Sequence, residues 1–108
     1  MKIQLLAVCF LIASQAMASG FTGAGSIKSV HQRECTGDKG FEVEFYESHN
    51  NPDNCTDTKI IDIPCDHAAY KTIVSLTMVA FTSNKQINYW VKDCESGQAK
   101  ATTARILQ

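Results

Sequence analysis

The residues with the most chemistry to offer are cysteines: Cys35, Cys55, Cys65 and Cys94, with a fifth, Cys9, inside an apolar N-terminal run. A thiolate can attack a carbonyl, bind zinc or close a disulfide, and spacing separates these uses. Half of a tetrahedral zinc site needs a C-x-x-C or H-x-x-x-H pair, and the sequence has neither. An even set of widely spaced cysteines in an exported chain instead predicts two disulfides. The three histidines, His31, His49 and His67, fall in different segments, and no serine sits on a nucleophile elbow. Without an acid–base pair or a nucleophile beside its base, the chain is not expected to be an enzyme. Asp53 and Asp57 share a polar loop but lack the ligand density of a calcium loop, so they are expected as solvated carboxylates. No metal or cofactor is expected.

Recognition chemistry is better represented. Trp90, the only tryptophan, alternates with Asn88 and Lys92 on the polar parity of a strand pattern. An exposed indole is a stacking platform for a sugar ring or an anchor at a protein interface. A bulge of one residue would instead turn it into the core. Tyr46 is a second, weaker outward aromatic. Phe41, Phe45 and Tyr46 are interleaved with Glu42, Glu44 and Glu47, and that charge repels phosphate, so nucleic acid is not an expected partner.

Residues 1–18 read as a cleavable secretory signal. Met1 and Lys2 begin it, Ile3 to Ala13 is apolar apart from Gln4, and Ala16-Met17-Ala18 supplies the small-residue cleavage site before Ser19. The apolar run is about 11 residues where a membrane span needs about 20, and no later segment competes, so no membrane insertion is expected. Cys9 is discarded with the signal. Loss of Lys2 leaves 9 of the 10 basic residues against 11 acidic ones, a formal charge of −2 and no footprint for a polyanion. Residues 19–108 then make one small domain, exported to the periplasm or secreted, and a core this modest calls for covalent staples.

The elements that must position these groups follow from periodicity. Ser19 to Gly25 is small and glycine-rich, which predicts a loose leader. Ser26 to Glu34 reads as a strand in which a bulge near Lys28 or Ser29 returns Ile27 and Val30 to one face. Phe41, Val43 and Phe45 alternate with glutamates in the cleanest strand pattern of the chain. The loop through Asn50-Asn51-Pro52-Asp53-Asn54 leads to a third strand, Lys59 to Pro64, with Ile61 and Ile63 on one side. Asp66 is a candidate N-cap for a helix over 67–82, whose inner face carries Ala69, Tyr70, Ile73, Leu76, Thr77, Ala80 and Phe81. Asn84 is its expected left-handed stop. Gln86 to Lys92 resumes alternation, Glu95-Ser96-Gly97 turns the chain, and Lys100 to Leu107 forms the last strand.

Three strands, a helix and two strands is the element order of a five-stranded OB-fold barrel, a mainly β fold with one helix. A split sandwich with one docked helix is the competing architecture. In an OB meander the first and third strands run the same way, which brings Cys35 and Cys65 to one pole. The fourth strand runs against them and brings Cys94 to the loop that holds Cys55. The topology therefore predicts Cys35 with Cys65 and Cys55 with Cys94, since bridged Cα atoms must lie within about 7 Å.

The leader, the loop Asn51-Pro52-Asp53-Asn54-Cys55, the helix from Ala69-Tyr70-Lys71 to Met78-Val79-Ala80-Phe81, and Asn84-Lys85-Gln86-Ile87 running on to Val91-Lys92-Asp93-Cys94 resemble a group of small exported bacterial proteins. Their layout is similar to the B subunits of AB-type toxins, OB-fold proteins that form pentameric rings and bind cell-surface glycans. The resemblance implies a non-enzymatic binding module with a glycan or protein partner and a ring of identical copies. No glycan-contact motif of those subunits is present, so no binding residue carries over. One helix face, running over Thr72, Ser75, Met78 and Val79 with Lys71 as its single charge, is the candidate contact between copies. Trp90, Asn88, Lys92 and Tyr46 are the candidate ligand or interface residues. The alternative is a monomeric periplasmic or secreted inhibitor or accessory protein that binds one macromolecular partner through its loops.

Overall fold

The computed structural model describes residues 19–36 and 39–108, so the expected signal segment lies outside the described residues. In chain order the elements are β1 (Ser19–Phe21), β2 (Ile27–Gln32), β3 (Phe41–Phe45), β4 (Ile60–Ile63), α1 (Tyr70–Thr82), β5 (Gln86–Glu95) and β6 (Gln98–Leu107). The strands form one sheet in the order β1-β5-β6-β4-β3-β2, and the helix packs over it. Only β4 with β6 is parallel.

Two expectations about architecture are corrected here. The sheet has six strands rather than five, and its pairing does not close: β1 and β2 are its two edges. The extra strand comes from the segment expected to be loose. Ser19, Gly20 and Phe21 pair with Lys92, Val91 and Trp90, and Gly25 bridges Ile87 with both hydrogen bonds at 3.0 Å. Glycine here permits close approach, not looseness. A Cβ on Gly25 would lie 2.8 Å from the Phe45 ring, so only a bare backbone can cross that side chain. Thr22 is buried between these contacts, its hydroxyl accepting the Tyr89 amide at 3.1 Å.

The inward faces follow the alternation. Phe41, Val43 and Phe45 are buried while Glu42 and Glu44 are partly covered, and Ile87, Tyr89 and Val91 are buried on β5. Each such side chain contributes about 1.5–3 kcal/mol by leaving water. The expected bulge in β2 is present, between Ile27 and Ser29, and Val30 packs against the core. Asp62 is buried between Ile61 and Ile63 and accepts the Gly40 amide at 3.1 Å.

The helix begins later than expected and without Asp66. Its N-cap is Ala69, whose methyl side chain makes no capping hydrogen bond to the first turn. Pro64 to Ala69 instead folds as turns, closed by His67 N–H to the Pro64 carbonyl at 3.2 Å and Tyr70 N–H to the His67 carbonyl at 3.0 Å. The His67 Nδ1 accepts the Ala69 amide at 3.0 Å, which fixes the turn ahead of the helix but leaves the expected side-chain cap of the first helical turn unmade. At the far end Asn84 has φ 57°, and Lys85 N–H reaches back to the Ala80 carbonyl at 2.9 Å, a left-handed stop of the Schellman type. Ile73, Thr77 and Ala80 form the buried stripe; Leu76 is only partly covered.

Both disulfides pair as the topology predicts. Cys35–Cys65 spans Cα atoms 5.8 Å apart and Cys55–Cys94 spans 5.7 Å. The second ties the long loop to β5 beside Asp93, whose φ of 65° marks an extra residue in that strand.

Candidate binding surface

The outer face of β1, β5 and β6 is built by two bulges. Trp90 pairs with Thr103 but Val91 pairs with Ala101, so β6 carries the extra residue, Thr102. Along β6 the covered positions accordingly shift from Ala99 and Ala101 to Ala104 and Ile106. Thr103 and Arg105 thereby come to the same outer side as Asn88 and Trp90. The bulge that would have turned Trp90 inward lies on the opposite strand, and the indole stays outward and half-buried.

Phe21 covers part of that indole. Its ring centroid is 4.8 Å from that of Trp90 with the planes at 86°, so two aromatic planes meet in a corner. Arg105 lies with its guanidinium carbon 5.5 Å from the Phe21 centroid, within cation–π range. Phe21 is 42% exposed, a large value for a phenylalanine. Asn88 is held by accepting the Gly23 amide on Oδ1 at 3.1 Å, which turns its NH2 group away from that bond. Lys92 is exposed at the end of the row, opposite Ser19.

The other candidates fall elsewhere. Tyr46 lies just past β3, 58% exposed, with β4 and β6 between its strand and β5 in the sheet. On the helix Thr72, Ser75 and Val79 are exposed, Val79 at 53%, but Met78 packs against the core and leaves the proposed contact face. Met78 stands four residues after Val74 and three before Phe81, on a ridge beside the buried stripe, and all three pack against the core.

Charge is organised on the opposite part of the sheet. Glu42 on β3 accepts Arg33 at 2.8 Å and Gln98 at 2.9 Å, and faces His31 at 3.4 Å. Burial pushes its carboxyl up, but the Gln98 hydrogen bond, the Arg33 charge and the His31 contact outweigh it and hold the pKa below the ordinary value. Glu44 receives Ser29 at 3.0 Å and lies 3.9 Å from Lys28. Two of the three glutamates that argued against phosphate are thus partnered, and they lie on a different strand from Trp90.

An open groove of about 520 Å³ runs past Glu44, Asp57, Lys59 and Ser96. Its carboxylates are engaged within the protein: Asp57 accepts the Lys59 and Ile60 amides at 3.0 Å each. Asp53 likewise accepts the Asp93 amide at 2.6 Å. Both loop aspartates, expected as solvated groups, are partly buried structural acceptors: Asp57 closes a local turn ahead of β4, and Asp53 meets β5 where the Cys55–Cys94 bridge holds the loop against that strand. His31 lies on β2, His49 in the loop after β3 and His67 in the turn before α1, and among the described residues no group of three or more His, Cys, Asp or Glu is arranged to hold a metal ion.

Sequence reasoning missed Phe21 and Arg105. Phe21 is the single large apolar residue in a stretch of small ones, and Arg105 alternates with Ala104 and Ile106, a pattern that places it outward. Compared with known proteins, the chain matches no family model, no curated protein and no solved structure.

Proposed function

We propose that the chain is an exported, non-enzymatic binding module that recognises a glycan through the outer face of β1, β5 and β6. The observation that carries this reading is the Phe21–Trp90 corner beside Arg105. Exposed aromatic planes held rigid by a neighbour offer apolar area for the C–H face of a sugar at little entropic cost. Export is supported by two formed disulfides, which persist in oxidising compartments. An OB-like barrel is supported by the placement of β1 and β2. They are consecutive in the chain, lie at the two sheet edges, and are linked by a segment that bridges Ile87. Taken as halves of one interrupted strand, they restore the five-strand, one-helix order. The exposed Thr72, Ser75 and Val79 face supplies the contact between copies in a ring.

Trp90 is the only tryptophan, so its fluorescence reports the site directly. On a broad glycan panel at least one sugar is expected to shift that emission, and Phe21→Ala should weaken the response roughly tenfold. A silent panel removes the sugar reading and leaves a protein partner. Light scattering on the oxidised protein tests the ring, and a monomer at all concentrations removes it.

A further inference from the structure

The two arginines of the chain are in opposite circumstances. Arg33 donates to Glu42 at 2.8 Å, and its charge is neutralised within the protein. Arg105 is exposed, packs over the Phe21 ring, and among the described residues meets no carboxylate and no other hydrogen-bond acceptor. A ring contact orients a guanidinium while leaving its in-plane donors unspent. Those donors form a planar fork that matches a carboxylate in bidentate fashion, which an ammonium does not.

The surroundings reinforce this. No aspartate or glutamate occurs in β1, in β6, or in β5 before Asp93. Within a chain of formal net charge −1, Arg105 and Lys92 on this face meet no acidic residue from these strands, while Lys100, the other cation of β6, lies opposite Asp62 of β4 in the register. The register places Asn88 opposite Arg105 and Thr103 opposite Trp90. Neighbouring strands lie about 4.8 Å apart, so an aromatic plane, an amide donor, a hydroxyl and a guanidinium converge within the span of one or two sugar rings.

From this we infer that the glycan is a carboxylated sugar, its ring stacked in the Phe21–Trp90 corner and its carboxylate held by the Arg105 fork. The inference rests on the reading of this face as sugar-binding and names the chemical class that it selects. Single-stranded nucleic acid also combines stacking with anionic contact, but it presents a phosphate at every nucleotide and is held by a tract of cations. Two cations on an acidic chain fit one or two anionic groups instead.

The test uses the exported, oxidised protein and a panel of carboxylated oligosaccharides, including glucuronate- and galacturonate-containing ones, each paired with its carboxyl-reduced neutral counterpart. Oligothymidine is added as a polyanion, with Trp90 emission and calorimetry as readouts. At least one acidic sugar should bind, its neutral counterpart at least tenfold more weakly. Arg105→Gln should abolish that discrimination, and Arg105→Lys should restore only part of it. Retained circular dichroism and intact disulfides verify that these surface variants fold. If neutral and acidic forms bind equally and Arg105→Gln leaves affinity unchanged, this inference fails while the glycan reading stands. A panel silent in both forms overturns both. Arg105-dependent binding of oligothymidine, without any acidic sugar, also overturns it.

Discussion

Thr77 and Tyr89 share a hydrogen bond in the middle of the core, and the direction of its proton decides which of them is dispensable. The Thr77 hydroxyl lies 2.8 Å from the Ile73 carbonyl, which can only accept, and 2.6 Å from the Tyr89 oxygen. Its one proton goes to Ile73, so Tyr89 donates to Thr77. Tyr89→Phe then removes a donor and leaves Thr77 satisfied, at a cost of about 1 kcal/mol. Thr77→Val preserves shape but strands the fully buried phenol, at a cost of roughly 1–3 kcal/mol. The double variant should recover part of the Thr77→Val loss in urea titrations; a Thr77→Val cost smaller than that of Tyr89→Phe reverses the assigned donor. Burial pushes the Tyr89 pKa up. Folding therefore holds the phenol protonated. That contribution is intact below the unfolded value of about 10 and is lost as pH climbs beyond it, so Tyr89→Phe should flatten the alkaline limb of the stability profile. The pair was half legible in the sequence. Both residues fall on apolar faces by period, but nothing in periodicity says that one faces the other, because the contact joins a helix to a strand.

At the scale of elements, the strands that alternate cleanly were readable, and so was the pairing of cysteines once strand directions were set. Periodicity failed where glycine changes its meaning. Ser19 to Gly25 looks like a leader because small residues give no side-chain pattern, yet its backbone completes the sheet edge and carries Phe21 to Trp90. Bulges were also only half legible: the one in β2 is forced by two apolar residues of opposite parity, whereas Thr102 in β6 sits among Ala and Thr residues whose burial either parity would suit. Gly25 tests the edge. Adding a methyl 2.8 Å from Phe45 must move either ring or backbone, an overpacking cost of about 1–3 kcal/mol for Gly25→Ala. The loss should be local first, seen as faster exchange of the Ile87 amide, which donates to Gly25 at 3.0 Å. Unchanged Ile87 protection in a stable Gly25→Ala protein argues that β1 and its link contribute little to the sheet.

Across the whole molecule, two covalent staples divide the work of holding a small core. A domain of about 90 residues has a stability of roughly 5–15 kcal/mol, so any contribution of a few kcal/mol is a large share. The bridges close loops of 30 and 39 residues, for which chain entropy gives about 4 kcal/mol each, with little to choose between them. Their local consequences differ. Cys35–Cys65 ties the end of β2 to the end of β4, where a Cβ on Gly40 would already lie 2.7 Å from the Cys65 sulfur. Cys55–Cys94 holds the long loop against β5, where Asp53 receives the Asp93 amide one residue beyond Lys92, the end of the Trp90 row. Replacing either pair by serine should lower the melting temperature by on the order of 20 °C. Only the Cys55→Ser, Cys94→Ser protein should also change Trp90 emission in its folded state, because only that staple anchors the strand carrying the indole. A drop of a degree or two for both pairs contradicts the entropic argument, and an emission change on loss of Cys35–Cys65 alone contradicts the assignment of the second staple to the binding face.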